Sequence, residues 1–415
     1  MSAKFPEYKG LNLPNVAKVM LEYWAENSVF EKSVTTREGN KPFVFFEGPP
    51  SANGLPGVHH VLARAIKDIF PRYKTMKGFQ VKRKAGWDTH GLPIELGVEK
   101  ELGITKEDIG KTITVEEYNA ACRKAVMRYT DIWNDLTQKM GYWVNMDDPY
   151  ITYEPKYMES VWWLLKQIYE KNLMYKGYTI QPYSPKAGTG LSSHELNQPG
   201  TYQDVTDTTV VAQFKAIKET LPDFLQNEGD IYFLAWTTTP WTLPSNTALT
   251  VGAKIDYVLV DTFNQYTFEP TKVILAKNLV GKQFGGKKNI QVEGVDKLNE
   301  YNSGDKKIPF HVVKEFKGQD LLEIRYEQLL DYVLPHNNPQ DAFRVIAGDF
   351  VTTEDGTGIV HTSPTFGADD ALVAKQATPE IPPMLIKDEN DNLVPLVDLQ
   401  GKFVKELGEF GGKYV

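Results

Sequence analysis

Two adjacent histidines, His59 and His60, stand where a turn rich in glycine and proline meets an amphipathic segment. The turn reads GPPSANGLPG, and the segment over 58–77 has the apolar spacing of a helix. Free N–H groups and the positive end of the helix dipole at such a junction can hold a phosphate. By itself the pattern is a weak signal for a phosphate site, because the same two histidines could simply begin a helix at a domain surface.

A second set of polar side chains lies in two segments that are far apart in the sequence. These segments read AWTTTPWTLPSNTA over 235–248 and TGIVHTSPTFGADD over 357–370. The first contains the hydroxyls of Thr237, Thr238 and Thr239, and the second contains His361 and Asp370. A hydroxyl cluster alone is most often a backbone cap in a turn. From the residues alone, the capping interpretation therefore stays open.

The composition bounds the class of protein. A chain of 415 residues with 41 % hydrophobic residues is expected to fold into two or three domains. The formal charge of -8 gives no overall attraction to polyanions, so any contact with nucleic acid would have to come from local basic patches. The single cysteine, Cys122, excludes an intramolecular disulfide and a multi-cysteine zinc site. We expect a cytoplasmic chain without a signal peptide or membrane span.

The pattern of predicted elements changes along the chain. The first part alternates strands and helices, which is typical of an α/β fold: a helix over 15–33, a buried strand over 41–48, helices over 58–77, 114–140 and 155–171, and a strand over 178–182. Thr114 and Glu117 form a capping box at the start of one of these helices. After a stretch rich in Pro, Gly, Ser and Asn, short strands are predicted over 210–214, 231–236, 257–260, 272–275 and 350–353. The second part should therefore be β-rich or barrel-like.

Residues 83–95 read RKAGWDTHGLPIE and, together with GPPSANGLPGVHH, resemble the catalytic core of class I aminoacyl-tRNA synthetases. The resemblance is closest to the isoleucyl enzymes, whose GWDxHGLPIE segment is similar to 87–95; 141–166 and 175–185 are also similar to that family. It implies the first half of a Rossmann-type catalytic core with an inserted β-rich, barrel-like editing domain. It also implies ATP with Mg²⁺ as a substrate, and isoleucine and isoleucine tRNA as partners of a monomeric enzyme. No zinc ligands are evident in this portion.

The resemblance implies roles for residues around the turn. In the family the turn carries HIGH, two histidines three residues apart, whereas this chain has Gly57, Val58, His59 and His60 at those positions. Adjacent helical residues point about 100° apart, so His59 cannot simply replace the missing imidazole. The site is either disabled or rearranged; we favour rearrangement, because the surrounding motif is intact. The resemblance then assigns catalysis to Gly57, His59 and His60.

Further roles around this site are also carried over from the family. ATP binding is implied for Asn53, Gly54, Gly57 and His60. Asp88 would bind the α-ammonium group of the amino acid, with Trp87 beside it, and Pro49 and Pro50 would form a wall of the isoleucine pocket.

The second pair of segments resembles the editing domain of the same family. Valine lacks only one methylene of isoleucine, a difference worth about 1–3 kcal/mol in a pocket, and the isoleucyl enzymes are the standard illustration of this limit. The resemblance implies that Asp370 holds the ammonium group of a mischarged amino acid. Residues Thr237, Thr238 and Thr239 would contact the ester and the terminal ribose, and Trp241 and His361 would shape the pocket. The attacking water would be positioned partly by the ribose hydroxyl. Many bacterial members have histidine where this chain has Phe366.

The resemblance also divides the chain. We expect an N-terminal helical entry over 1–40, the first catalytic half over 41–185, a linker over 186–200, the editing domain over 201–400 and the end of the editing insertion over 401–415. The family's KMSKS loop is not recognisable, so the chain is expected to be the N-terminal portion of a longer enzyme that cannot aminoacylate tRNA alone. Two alternatives stay open: a non-catalytic tRNA-binding or regulatory paralogue, and a deacylase-only fragment.

Overall fold

The computed structural model describes residues 10–46, 48–177, 179–303 and 305–415. These residues form two compact units, which divide between Lys176 and Gly177. The predicted functional boundaries at 40, 185, 200 and 400 stay predictions.

The first unit is mixed α/β. Its helices and strands are α1 Leu13–Glu26, α2 Val29–Thr35, α3 Val58–Met76, β1 Lys84–Trp87, α4 Leu92–Leu102, α5 Val115–Val126, α6 Thr130–Lys139, β2 Asn145–Ile151 and α7 Pro155–Glu170. The strands β1 and β2 pair in parallel, and three helices lie between them in the chain. Parallel strands need such a crossover. The predicted α/β class is thus confirmed, but β1 and β2 both lie outside the ranges where strands were predicted. The predicted capping box is present, with the Glu117 carboxylate accepting from the Thr114 N–H at 3.0 Å.

The predicted buried strand over 41–48 is wrong for the residues that the structure describes there. Residues 41–46 make one isolated parallel bridge, between Pro42 and Gln80, and the side chain of Phe46 is 91 % exposed. Phe43 donates its N–H to the Gln80 carbonyl at 3.0 Å, and no strand continues beyond it among the described residues. An apolar run alone does not form a strand without a paired neighbour. Glu47 lies outside the described residues.

Helix α3 buries a polar face. Arg64, Asp68 and Thr75 are buried, whereas Leu62 and Ile69, two of the apolar residues whose spacing predicted this helix, are exposed. Aromatic rings accept the buried cation: the Arg64 guanidinium lies 4.9 Å from the ring centre of Tyr142 and 5.6 Å from that of Trp133. Cation–π contacts of this kind compensate in part for desolvation.

The second unit is β-rich, as predicted. Its strands and helices are β3 Tyr183–Ser184, β4 Thr189–Gly190, α8 Ser193–Leu196, β5 Val210–Lys215, β6 Ile231–Thr237, β7 Ala248–Val251, β8 Asp256–Phe263, β9 Pro270–Ala276, α9 Val280–Phe284, β10 Asn289–Gln291, β11 Ile308–Lys317, β12 Arg344–Ala347, β13 Ile359–Thr362, α10 Ala368–Gln376, β14 Ile386–Lys387 and β15 Leu393–Val394. The strand predicted over 350–353 is not formed, and none is formed over 179–182; Tyr178 lies outside the described residues.

Two sheets dominate this unit. One has six strands in the order β10-β11-β8-β9-β6-β5, and the other has three in the order β12-β7-β13. Because side chains alternate along a strand, Phe233 and Tyr257 join the larger core on one face of the six-stranded sheet, while Leu234 and Val258 join a smaller cluster on the other. A closed barrel is not formed by the described strands, so the barrel-like part of the prediction is not observed.

Every helix in the described part of the chain is too short or too polar to cross a membrane.

Tyr257 ties the six-stranded sheet to a turn before β13. The Tyr257 hydroxyl accepts from the Gly252 N–H at 3.0 Å and donates to the Gly358 carbonyl at 2.6 Å, with all three residues buried. Gly358 has φ +74°, and a Cβ there would come within 2.3 Å of the Ala276 Cβ, so glycine is required. This contact fixes the backbone that leads into His361.

We expect Tyr257→Phe to lower the free energy of unfolding by about 2–6 kcal/mol. Removing the hydroxyl leaves one buried N–H and one buried carbonyl unpaired, each at a cost of about 1–3 kcal/mol. Urea unfolding of the 415-residue chain measures the change. Tyr232→Phe, in β6 of the same sheet, is the matched control, and equal losses in the two variants would contradict the role of the Tyr257 hydroxyl.

Candidate functional site

The turn at 57–60 is closed by a histidine. Gly57 caps the N-terminus of α3, and its N–H donates to Nδ1 of His60 at 2.9 Å, while the His60 N–H donates to the Gly57 carbonyl at 3.0 Å. The lone pair of Nδ1 is thereby occupied, so a neutral His60 carries its proton on Nε2. Partial burial lowers the pKa of His60, and the charges of His59 and Arg64 lower it further.

The two histidine rings lie against each other despite their adjacent positions. Their ring centres are 3.8 Å apart, and the His60 ring also meets Trp133 edge-on at 4.9 Å. A Cβ on Gly57 would come within 2.7 Å of the His59 ring, so a larger residue at this position would displace that ring. Both imidazoles therefore stand at the first turn of α3, where free N–H groups favour an anion.

The other residues predicted for this site surround the same turn. The indole N–H of buried Trp133 donates to the Gly54 carbonyl at 2.9 Å, and the Asp88 N–H donates to the Pro50 carbonyl at 2.9 Å. These two bonds fix the turn from both sides. Asn53 accepts from the Ser51 hydroxyl at 3.0 Å.

The predicted amino-acid pocket is small in this structure. Pro49, Pro50 and Trp87 line a cavity of about 30 Å³, which has room for about two water molecules. Asp88 is exposed, and its carboxylate accepts from the His90 N–H at 3.3 Å.

Five of the six residues predicted from the threonine-rich and Asp-bearing segments line one cavity of the second unit. The cavity measures about 370 Å³, and its walls include Thr237, Thr238, Thr239, His361 and Asp370. The end of β6 supplies the first threonine, β13 supplies the histidine, and α10 supplies the aspartate. Residues more than 120 positions apart thus meet at one site.

His361 is held in one tautomer by a directed series of hydrogen bonds. The Asn246 side-chain amide donates from Nδ2 to the Ala248 carbonyl at 2.8 Å and to Nδ1 of His361 at 2.8 Å. A carbonyl can only accept, which fixes the orientation of the amide and places the imidazole proton on Nε2. Nε2 then donates to the Thr242 hydroxyl at 3.0 Å, and that hydroxyl donates to the Thr239 carbonyl at 2.8 Å.

The series begins in the core. The hydroxyl of buried Tyr326 donates to Oδ1 of Asn246 at 2.6 Å, so the amide is satisfied on both sides. Burial lowers the pKa of His361 to about 4. The imidazole is therefore neutral near pH 7, and neither nitrogen has a free lone pair to accept a proton. His361 positions the threonine loop rather than acting as a base.

Asp370 lines the same cavity as this loop. Its carboxylate accepts from the Ser363 N–H at 2.7 Å. Burial raises the pKa of Asp370 to about 6; the Ser363 N–H opposes that rise and the charge of Asp369 adds to it. A partly buried carboxylate that lacks a cationic partner in the described residues suits a cationic ligand such as an ammonium group.

Trp241 does not line the 370 Å³ cavity directly. Its ring meets Phe366 edge-on at 5.1 Å, and Trp241 lines a neighbouring cavity of about 580 Å³. Phe366 borders both cavities, so this aromatic pair divides them.

Sequence reasoning did not identify Thr242, Asn246 or Tyr326 as parts of the site. The first two stand inside the quoted threonine-rich segment, and their polar side chains at three and seven positions after Thr239 were the available signal. Tyr326 had no local signal. Among the residues that the structure describes, His, Cys, Asp and Glu form no group of three that could hold a metal ion.

Comparison with known proteins supports a single family. A family model described as tRNA synthetases class I (I, L, M and V) matches residues 19–344. The isoleucine–tRNA ligase of Bacteroides fragilis is 64 % identical over 99 % of this chain and 35 % of that protein. The isoleucine–tRNA ligase of Cytophaga hutchinsonii is 62 % identical over 98 % of this chain and 35 % of that protein.

A solved structure has a weaker similarity. The P. knowlesi cytosolic leucyl-tRNA synthetase editing domain is 14 % identical, covers 41 % of this chain and 63 % of that chain, and has a TM-score of 0.30, which is too low to support a structural argument. The chain spans about a third of the length of the curated relatives that it matches. Because the family model covers most of its residues, the chain belongs to the class I tRNA synthetases of the I, L, M and V group.

Proposed function

We propose that this chain is part of an ATP-dependent isoleucine–tRNA ligase that also hydrolyses mischarged valyl-tRNA. It would supply the first half of a Rossmann-type catalytic core and a β-rich editing domain. The observation that carries the proposal is the 370 Å³ cavity, where three consecutive threonines, His361 and Asp370 come together from distant segments. The identity to isoleucine–tRNA ligases over nearly the whole chain supports the choice of amino acid.

In the first reaction, the isoleucine carboxylate attacks the α-phosphate of ATP, and pyrophosphate leaves. The histidine pair and the free N–H groups of α3 would stabilise negative charge on the phosphates. Because Nδ1 of His60 accepts from Gly57, the Nε2–H of a neutral ring is the edge free to donate. Asp88 would hold the ammonium group of isoleucine. Mg²⁺ would enter with ATP as part of the substrate.

In the second reaction, water attacks the ester carbonyl of valyl-tRNA, and the amino acid and the tRNA 3′ hydroxyl separate. Asp370 would hold the valine ammonium group, and Thr237–Thr239 would face the ester and ribose. His361 has no free lone pair, so the water would be activated partly by the adjacent ribose hydroxyl. One methylene cannot give adequate discrimination in the first pocket, which is why a second hydrolytic site is useful.

The first test is isoleucine-dependent exchange between ATP and pyrophosphate, measured with the full-length parent. We expect rapid exchange in the wild type and a loss of about 30-fold or more in His60→Ala and in His59→Ala, equivalent to about 2 kcal/mol of transition-state stabilisation. His194→Ala, which changes an exposed histidine of α8, is the matched control. An inert wild type would favour the non-catalytic paralogue.

The second test concerns Asp370 and pH. We expect kcat/KM for valyl-tRNA hydrolysis to rise as pH increases through about 6, because only the ionised carboxylate attracts the ammonium group and kcat/KM reports the free enzyme. Asp370→Asn should remove this pH step and lower kcat/KM by about 30-fold or more, since it leaves the ammonium group unpaired.

The control for Asp370 is its neighbour. Asp369→Asn changes an exposed carboxylate on the same helix and should keep both the pH step and the rate above it, with the step moved to lower pH because the charge of Asp369 contributes to the raised pKa of Asp370. An Asp370→Asn variant that hydrolyses valyl-tRNA at the wild-type rate would contradict the proposed role of this carboxylate.

A further inference from the structure

A second cavity of the β-rich unit has a different chemistry. It measures about 320 Å³ and lies over the face of the six-stranded sheet that carries Leu234 and Val273. Amide side chains, including Gln213, Gln265 and Asn289, line it together with aromatic rings. Neither an acidic nor a basic side chain is among its described lining residues. The cavity therefore suits an uncharged, polar and flat group.

Aromatic rings surround this cavity. Phe263, Tyr266 and Phe284 line it, and the Tyr266 side chain is 80 % exposed. The Phe263 ring packs on Tyr301 with ring centres 4.5 Å apart. Phe284 packs on a core ring, that of Phe310, at 5.2 Å, so its position is fixed. Fixed and exposed rings together can accept a planar ligand by stacking.

Two buried hydroxyls at this place have no hydrogen-bond partner among the described residues. Thr271, which lines the cavity, is 8 % exposed, and its Oγ1 is unpaired; the hydroxyl of Tyr301 beside Phe263 is also unpaired. An unpaired buried hydroxyl costs free energy. The Thr271 hydroxyl has almost no exposed surface, so a polar ligand in the cavity would supply its missing partner after a small shift of the neighbouring side chains.

Four lysines directly precede the paired residues Asn289 and Ile308, the first of which lines the cavity, and we call them the lysine edge: Lys287, Lys288, Lys306 and Lys307. The first two immediately precede Asn289, which lines the cavity, and the Lys288 carbonyl accepts from the Ile308 N–H at 2.8 Å, so the two lysine pairs enter adjacent strands.

All four lysines are exposed, and none has an ion-pair partner among the described residues. The nearest carboxylate in sequence, Asp305, accepts from the Asn302 N–H at 2.9 Å. A chain of charge -8 thus has a local basic patch beside an aromatic and amide cavity.

We propose that this cavity and the lysine edge bind a single-stranded RNA segment, with one unstacked base in the cavity and the flanking phosphates on the lysines. Stacking rings beside cations are the usual means of holding single strands, and amides read the edges of a base. A glycan or a neutral peptide could contact the rings and amides, but it has no anionic groups that would pair with the four lysines. The site is separate from the proposed editing cavity and does not depend on ligase or deacylase activity.

The first experiment measures the binding of a labelled single-stranded RNA of about 12 nucleotides, within the range of roughly 4–16 nucleotides that such sites cover, by fluorescence anisotropy at several salt concentrations. The 415-residue chain is used. We expect Lys288→Ala/Lys307→Ala to weaken binding and to reduce the slope of log K against log salt by about 1.4, because each lost phosphate contact on a single strand contributes about 0.7.

Matched controls separate this site from general electrostatics. Lys218→Ala/Lys254→Ala removes two exposed lysines that also lack ion pairs, and it should change neither affinity nor slope. Asp370→Asn, in the editing cavity, should not weaken binding of this RNA either. An equal loss in the lysine control would overturn the proposal, because it would show a diffuse charge effect.

The second experiment tests the cavity itself. Tyr266→Ala should weaken single-stranded RNA about 5-fold or more through lost stacking, with an unchanged salt slope, and Thr271→Val should weaken it while keeping the side-chain shape. Circular dichroism checks that both variants fold. If inorganic polyphosphate competes fully with the RNA and both cavity variants bind RNA as the wild type does, the lysine edge is a non-specific polyanion surface and the base site does not exist.

Discussion

The β-rich unit depends on a set of buried hydrogen bonds that all run in one direction. Tyr326 donates to Asn246, Asn246 to His361, His361 to Thr242, and the Thr242 hydroxyl to the Thr239 carbonyl. Each group has a single role that its neighbour dictates, so the threonine loop is oriented from the core outwards. Buried polar groups are tolerated only when they are satisfied in this complete way.

In the α/β unit, too, one side chain fixes a local backbone structure: a histidine takes the place of the usual capping side chain. His60 accepts from the Gly57 N–H, and the same ring is packed by Trp133, whose indole N–H holds the Gly54 carbonyl. One tryptophan therefore sets both the turn and the ring that would face a phosphate. The altered histidine pair is compatible with an ordered helix terminus, which is the feature that an anion site requires.

The sequence predicted features that are encoded locally. The capping box at Thr114, the helix over 58–77 and most of the β-rich run were predictable, because caps and periodicity are short-range signals. The strand over 41–48 failed because a strand needs a partner, and among the described residues this segment makes a single bridge, to Gln80. The buried polar face of α3 could not be predicted from the sequence either, because the rings that contact Arg64 are distant in the chain. The residues of the threonine-lined cavity came from family resemblance, whereas Tyr326 is known only from a contact across 80 positions.

The fixed direction of these hydrogen bonds limits which substitutions the site can accept during evolution. Asn246, His361 and Tyr326 lie in three segments, yet none can exchange donor for acceptor without leaving its neighbour with two donors or two acceptors face to face. A substitution at one of these positions therefore has to be accompanied by substitutions at the others. A variant with a single substitution would have a misaligned threonine loop. The aromatic partition formed by Trp241 and Phe366 carries no such polarity, so the shape of the cavity can be retuned there while the loop keeps its orientation.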